Sequence, residues 1–192
     1  MGIVDNMGGN SNMGRYQGII IAGFGGQGIL SLGRVIAEAG MIDGMEVSWL
    51  PSYGPEIRGG TAYVHVILSD DKIGSPLLNS ATTLIAMNKP SFEKYHELIV
   101  DGGLIIVDGS LVDSKLSDDR REFFSLPATK VAADRDRPAY ANIMLAGKMI
   151  ARTNIIKVES FEKALYKTLP KKYQGMIPEE MEILKLGMEY MG

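Results

Sequence analysis

The feature that most constrains this chain is the run "QGIIIAGFGGQGILSLGRVIAEAG", Gln17 to Gly40. Its first part, a short β-branched apolar stretch stopped by glycines, predicts a buried strand. Its last part places Ile29, Leu32, Val35, Ile36 and Ala39 at helical spacing, with Gly40 or Gly44 near the helix end. Between them Gly23, Gly25 and Gly28 fall on the G-x-G-x-x-G spacing of a dinucleotide-binding turn. Such a turn lets a pyrophosphate reach backbone N–H groups at the positive end of the helix dipole. The same glycines also suit tight strand-on-helix packing without any ligand.

A nicotinamide site makes a second demand: an acid at the end of the next strand, about 20 residues on, to hold the ribose hydroxyls. Here that strand, "EVSWL", runs into "PS", and the nearest acids, Asp43 and Glu46, lie before it or at its start. The ribose clamp is missing. In its place stands a second glycine-rich loop, "PSYGPEIRGG", in which Pro51, Pro55 and three glycines argue against regular structure. There Arg58 can fork onto a phosphate and Tyr53 can stack on a ring. A structural turn with Arg58 paired to Glu56 is the plainer alternative.

The remaining pattern alternates. "TAYVHVILSD" predicts a long strand, "KIGSP" a short return strand or hairpin arm, and "ATTLIAMN" and "GGLIIVDGS" two more strands around a helix that opens at Pro90. One further strand is predicted near Thr129 to Ala132, then helices over Pro138–Arg152, Ser160–Leu169 and Pro178–Met191. The first of these helices is apolar nearly all round and so must be buried. The last carries Met181, Leu184, Met188 and Met191 on one stripe, more core than contact. Together these predict one three-layer α/β/α domain over residues 16–192, with a mostly parallel, mixed sheet and the glycine turn after the first strand. Residues 1–15, rich in Gly and Asn, read as a disordered leader in which Met7 and Met13 are alternative starts.

Composition removes whole classes of chemistry. With no cysteine there is no disulfide, thiolate nucleophile or ligand for an iron–sulfur cluster, and with His65 and His96 as the only histidines a histidine-rich metal site is implausible. His65, mid-strand, reads as a satisfied half-buried residue, and His96, among charged neighbours, as part of a solvated helix face. Asp108 ends a strand where it can serve a ligand or cap the next turn. A net charge of -3 with scattered basic residues argues against nucleic acid. The uncharged stretch Tyr16–Gly33 holds six glycines and two glutamines, too many for a membrane span or a signal segment, so a cytoplasmic protein is expected. No paired carboxylates or Ser-His-Asp order stands out, which suits a binding module better than a complete enzyme.

"GFGGQGILSLGRVIAEAG" followed by "SWLPSYGPEIRGGTAYVHVILSD" resembles the gamma subunit of the 2-oxoacid:ferredoxin oxidoreductases, nearest in look to the 2-oxoglutarate and branched-chain versions. The likeness continues through "IGSP", "LIAMN", "GGLIIVDGSL" and "ANIMLAG" and covers about residues 18–150. It implies one chain of an assembly that decarboxylates a 2-oxoacid, joins the acyl group to coenzyme A and reduces ferredoxin. Thiamine diphosphate with magnesium would sit on alpha and beta partner subunits, and iron–sulfur clusters on the beta and a ferredoxin-like delta subunit. This chain has neither cysteine nor a "GDG" motif for them. It would be inactive alone, with a homodimer open to it when isolated, and its part would be coenzyme A. The resemblance gives the two loops one candidate binding set: Gly23, Gly25, Gly26, Gln27 and Gly28 in the first, Tyr53, Glu56, Arg58, Gly59 and Gly60 in the second. The rival within the family is that "YGPEIRGG" docks partner subunits. The rival outside it is a stand-alone Rossmann-like NADP oxidoreductase with Arg58 on the extra phosphate. The helices after residue 138 are expected to contribute to a subunit interface.

Overall fold

The computed structural model describes residues 14–53, 61–113 and 119–191. Strand β1 (Tyr16–Phe24) leads into α1 (Ile29–Ile42), then β2 (Glu46–Tyr53) and β3 (Thr61–Ser69) form an antiparallel pair. β4 (Ala81–Ala86), α2 (Lys89–Tyr95), β5 (Ile99–Asp108) and β6 (Glu122–Leu126) follow. Four helices close the chain: α3 (Ala128–Ala133), α4 (Tyr140–Thr153), α5 (Val158–Thr168) and α6 (Ile177–Glu189).

The sheet order is β2-β3-β1-β4-β5-β6. β1, β4, β5 and β6 pair in parallel, while β3 is antiparallel to both β1 and β2. Five strands therefore run one way and β3 alone runs back between β1 and β2. This is the mostly parallel, mixed sheet the sequence predicts.

The period-2 alternation of strands assigns the two cores. Ile19, Ile21, Val64, Val66 and Leu68 face a thick layer built from α1, α4, α5 and α6. Ile20, Ala22 and Ile67 face the other way, onto a thin layer that includes Phe92 and Tyr95 of α2. Ile19, Ile20 and Ile21 are all fully buried, so both faces of β1 are interior. Each such side chain contributes about 1.5–3 kcal/mol of transfer free energy. In the thick layer α4 and α6 cross at backbone contact: a Cβ on Gly147 would collide with the carbonyl of Leu184, and one on Gly187 with that of Met144.

Several local expectations change. Pro51 lies inside β2, opposite Val64. A proline is tolerated there because β2 is the outermost strand, where a missing donor breaks no interior ladder. The last strand is Glu122–Leu126, and the Thr129–Ala132 segment predicted to be that strand is instead in helix α3. "KIGSP" forms no strand; Leu78, just after it, is buried and its N–H donates to His65 Nδ1 at 3.2 Å. Of the expected leader, residues 1–13 lie outside the described residues, and Arg15 is held by Asp70 through Nε at 3.1 Å and Nη2 at 2.8 Å.

Candidate functional site

Chain order through the sheet reverses between β1 and β4: the connection after β1 leads out to β2, whereas β4 leads to β5 and β6 on the other side. In open α/β sheets the crevice outside the strand ends at such a point is where ligands bind. Residues 25–28, "GGQG", fill the β1 side of that crevice, and Met87–Asn88 the β4 side.

The turn takes its shape from its glycines and from one glutamine. Gly26 and Gly28 have φ of 98° and 74°, the left-handed region that other residues rarely occupy. Gly23 ends the buried part of β1, where a Cβ would stand 2.6 Å from Gln27 Oε1. Gln27 uses that space to tie the turn down. Its Oε1 accepts from the N–H of Phe24 at 2.6 Å, and its Nε2 donates to the carbonyl of Met87 at 3.1 Å. Asn142, on α4, donates from Nδ2 to the carbonyl of Gln27 at 3.1 Å.

What the turn leaves open is the start of α1. Gly28 is its N-cap and offers no side chain, and no acid stands in the first turn. The first helical hydrogen bond runs from Leu32 N–H to the carbonyl of Gly28 at 2.9 Å, so the N–H groups of Ile29, Leu30 and Ser31 precede it. A cavity of about 360 Å³ lies on this bare end, between Phe24, Gly25, Gly28 and Ala62. A second, of about 270 Å³ and more apolar, lies on the other side of Gly26, walled by Met87, Thr129, Ala132 and Ala141. Gly26 lines both. The site therefore joins an anion-receptive pocket to an apolar slot.

The second loop begins and ends at this same edge. Thr61 pairs with Phe24 and Ala62 with Tyr53, so both anchors of the loop stand at the end of the sheet where the glycine turn emerges. Tyr53 is the last residue of β2; Glu56, Arg58, Gly59 and Gly60 lie outside the described residues.

The other polar candidates are structural. Asp108, fully buried, accepts from Ser110 N–H at 3.0 Å and from the N–H and hydroxyl of Thr129, and so caps α3. Asp43 caps α5 through Lys157 N–H and the Ser160 hydroxyl, at 2.7 and 2.6 Å. His65 is buried, and burial lowers its pKa, leaving a neutral ring. His96 is half-buried, with one face of its ring stacked on Phe92 at 4.9 Å. Of the methionine stripe, Met181 and Leu184 are core, while Met191 is exposed. Among the described residues no group of three His, Cys, Asp or Glu is placed to hold a metal, and no helix is long and apolar enough to cross a membrane. Sequence reasoning missed Asn142 and the Met87 carbonyl. The signal for Asn142 was there: one amide in the apolar run of "YANIMLAG".

An α/β domain with an uncapped helix at a glycine turn, and a lone reversed strand between β1 and β2, has the outline of a dinucleotide-binding fold without the acid that would hold a nicotinamide ribose. The chain belongs to the family described as pyruvate ferredoxin/flavodoxin oxidoreductase, whose profile matches residues 18–190. It is 35% identical over 171 residues to the ketoisovalerate oxidoreductase subunit VorA of Methanothermobacter thermautotrophicus, covering 88% of this chain and 35% of that one. The chain thus spans about a third of the length of this relative. It is 35% identical over 156 residues to the 2-oxoglutarate synthase subunit KorC of Methanocaldococcus jannaschii, covering 80% of this chain and 83% of that one. Among solved structures it superposes on the gamma subunit of a keto/oxoacid ferredoxin oxidoreductase from Geobacter sulfurreducens with a TM-score of 0.77 and 29% identity, over 91% and 95% of the two chains. The fold recurs in the 2-oxoglutarate:ferredoxin oxidoreductase of Magnetococcus marinus, solved with 2-oxoglutarate, coenzyme A and succinyl-CoA (TM-score 0.80, 23% identity, 90% of this chain and 30% of that one). The stand-alone NADP reading is not favoured.

Proposed function

We propose that this chain is the gamma subunit of a 2-oxoacid:ferredoxin oxidoreductase and that it holds the phosphate-bearing part of coenzyme A. The assembly oxidatively decarboxylates a 2-oxoacid of the 2-oxoglutarate or branched-chain type, passes the acyl group to the coenzyme A thiol and delivers two electrons to ferredoxin. Alpha and beta subunits carry thiamine diphosphate and magnesium, and the beta and a ferredoxin-like delta subunit carry the clusters. A chain without cysteine contributes binding to this sequence, not electron transfer.

The observation that carries the reading is the bare start of α1. Its N–H groups and dipole suit a pyrophosphate, and no acid in its first turn opposes one. The apolar slot beyond Gly26 suits the less polar remainder of the same ligand. The second loop, with Tyr53, Glu56, Arg58, Gly59 and Gly60, completes the binding set from the strand ends beside it.

Gly25 offers a clean test, because a Cβ there meets no atom within 4 Å and its φ is not in the left-handed region, so a side chain fills the cavity without strain. In the assembled complex Gly25→Val is expected to raise the KM for coenzyme A about tenfold or more and leave the KM for the 2-oxoacid unchanged. An unaltered coenzyme A KM would remove the glycine turn from the site. The purified chain alone should turn over no 2-oxoacid.

A further inference from the structure

We propose that Asn142 is a positioning residue that fixes which way the Gln27–Gly28 peptide faces, and so decides whether the start of α1 presents a donor or an acceptor to an anionic ligand. The inference rests on the reading that this turn holds a phosphate of coenzyme A.

Asn142 is 5% exposed and sits on α4 among Ala141, Ile143, Met144 and Leu145, all buried. A polar side chain in such surroundings is costly unless it is hydrogen-bonded. Its amide donates to the carbonyl of Gln27 at 3.1 Å, which turns that oxygen toward α4. In a planar trans peptide the C=O and the following N–H point to opposite sides. The N–H of Gly28 is therefore turned away from α4, and among the described residues nothing accepts from it.

The packing makes the same point independently. Gly28 has φ 74°, and a Cβ on it would collide with Asn142 Nδ2, so the amide lies directly beneath the turn. The side chain of Gln27 pins its own residue to Phe24 and Met87, but neither bond holds the Gln27 carbonyl. Gly28, on one side of that peptide, resists its rotation poorly, since both mirror-related regions of φ are open to a glycine. Rotated by half a turn, the peptide would aim its oxygen at the cavity over α1, where a phosphate needs donors. The Asn142 amide is the one side-chain donor among the described residues that holds the productive orientation.

The test is made in the assembled complex with Asn142→Asp, which keeps the shape but sets a carboxylate oxygen against the Gln27 carbonyl, and with Asn142→Ala, which removes the donor without adding charge. Asn142→Asp is expected to raise the KM for coenzyme A about tenfold or more and Asn142→Ala by a smaller factor. The KM for the 2-oxoacid, and kcat at saturating coenzyme A, should stay within about twofold. A merely structural role lowers the amount of active complex, hence kcat, and leaves each KM as it was. If Gly25→Val raises the coenzyme A KM and neither Asn142 variant does, the orientation argument is wrong and the site stands. If Gly25→Val also has no effect, the coenzyme is held elsewhere and both fail. Should the Asn142→Asp complex not assemble, Asn142→Ala decides by itself, and an unchanged coenzyme A KM overturns the proposal.

Discussion

Two helices start at the same end of the sheet and treat their free N–H groups in opposite ways. The start of α3 is filled by the Asp108 carboxylate, which accepts from Thr129 twice and from Ser110 once. The start of α1 has no cap and no acid. A helix N-terminus attracts an anion in both cases, so what differs is whether the chain supplies its own. Where it does, the dipole stabilises the fold; where it does not, the same physics remains available to a ligand.

The largest effect should come from emptying the filled end. Asp108→Ala strands three donors at a buried position and is expected to cost about 3 kcal/mol in denaturant unfolding. A loss below about 1 kcal/mol would mean that water replaces the carboxylate and that the two ends differ less than their geometry implies. The converse change fills the empty end. Ser31→Asp puts an acid in the first turn of α1 and is expected to stabilise the chain by about 0.5–1 kcal/mol while weakening coenzyme A binding in the complex. Stabilisation without weakened binding would break the comparison.

The smallest effect concerns α6, where an acid stands in the first turn but does no capping. Glu180 is buried, Oε2 has no partner among the described residues, and burial raises its pKa. The dipole favours its ionised form, yet desolvation wins. A carboxyl with a raised folded pKa binds its proton more tightly in the folded state, so its ionisation removes stability as pH climbs from about 4.3 through the folded value. Glu180→Gln should therefore unfold at a higher temperature than the parent near neutral pH, and the gap should close as the pH falls to about 4. A gap independent of pH would assign the effect to packing.

How much of this could be read from the chain follows the range of the interactions. β1, the glycine turn and α1 are set by neighbours a few residues apart, and the sequence shows them plainly. α3 is different: "ATKVAA" holds Thr and Val and looks like a strand, but Asp108, 21 positions before Thr129, caps it as a helix. Pro51 likewise looked like a breaker because nothing local says that its strand lies at the edge. At the site, the glycines announced themselves. The groups that hold them did not: Met87 contributes only a carbonyl, and Asn142 is 115 residues from the Gln27 oxygen it binds.

Pro51 has one more consequence. β2 is an outer strand of the sheet, and an outer strand offers its backbone to any other chain that can lie alongside. Between Leu50 and Ser52 that row of donors has a gap, which a continuous intermolecular ladder would have to cross. One imide nitrogen thus works against copies of this chain stacking edge to edge into fibrils.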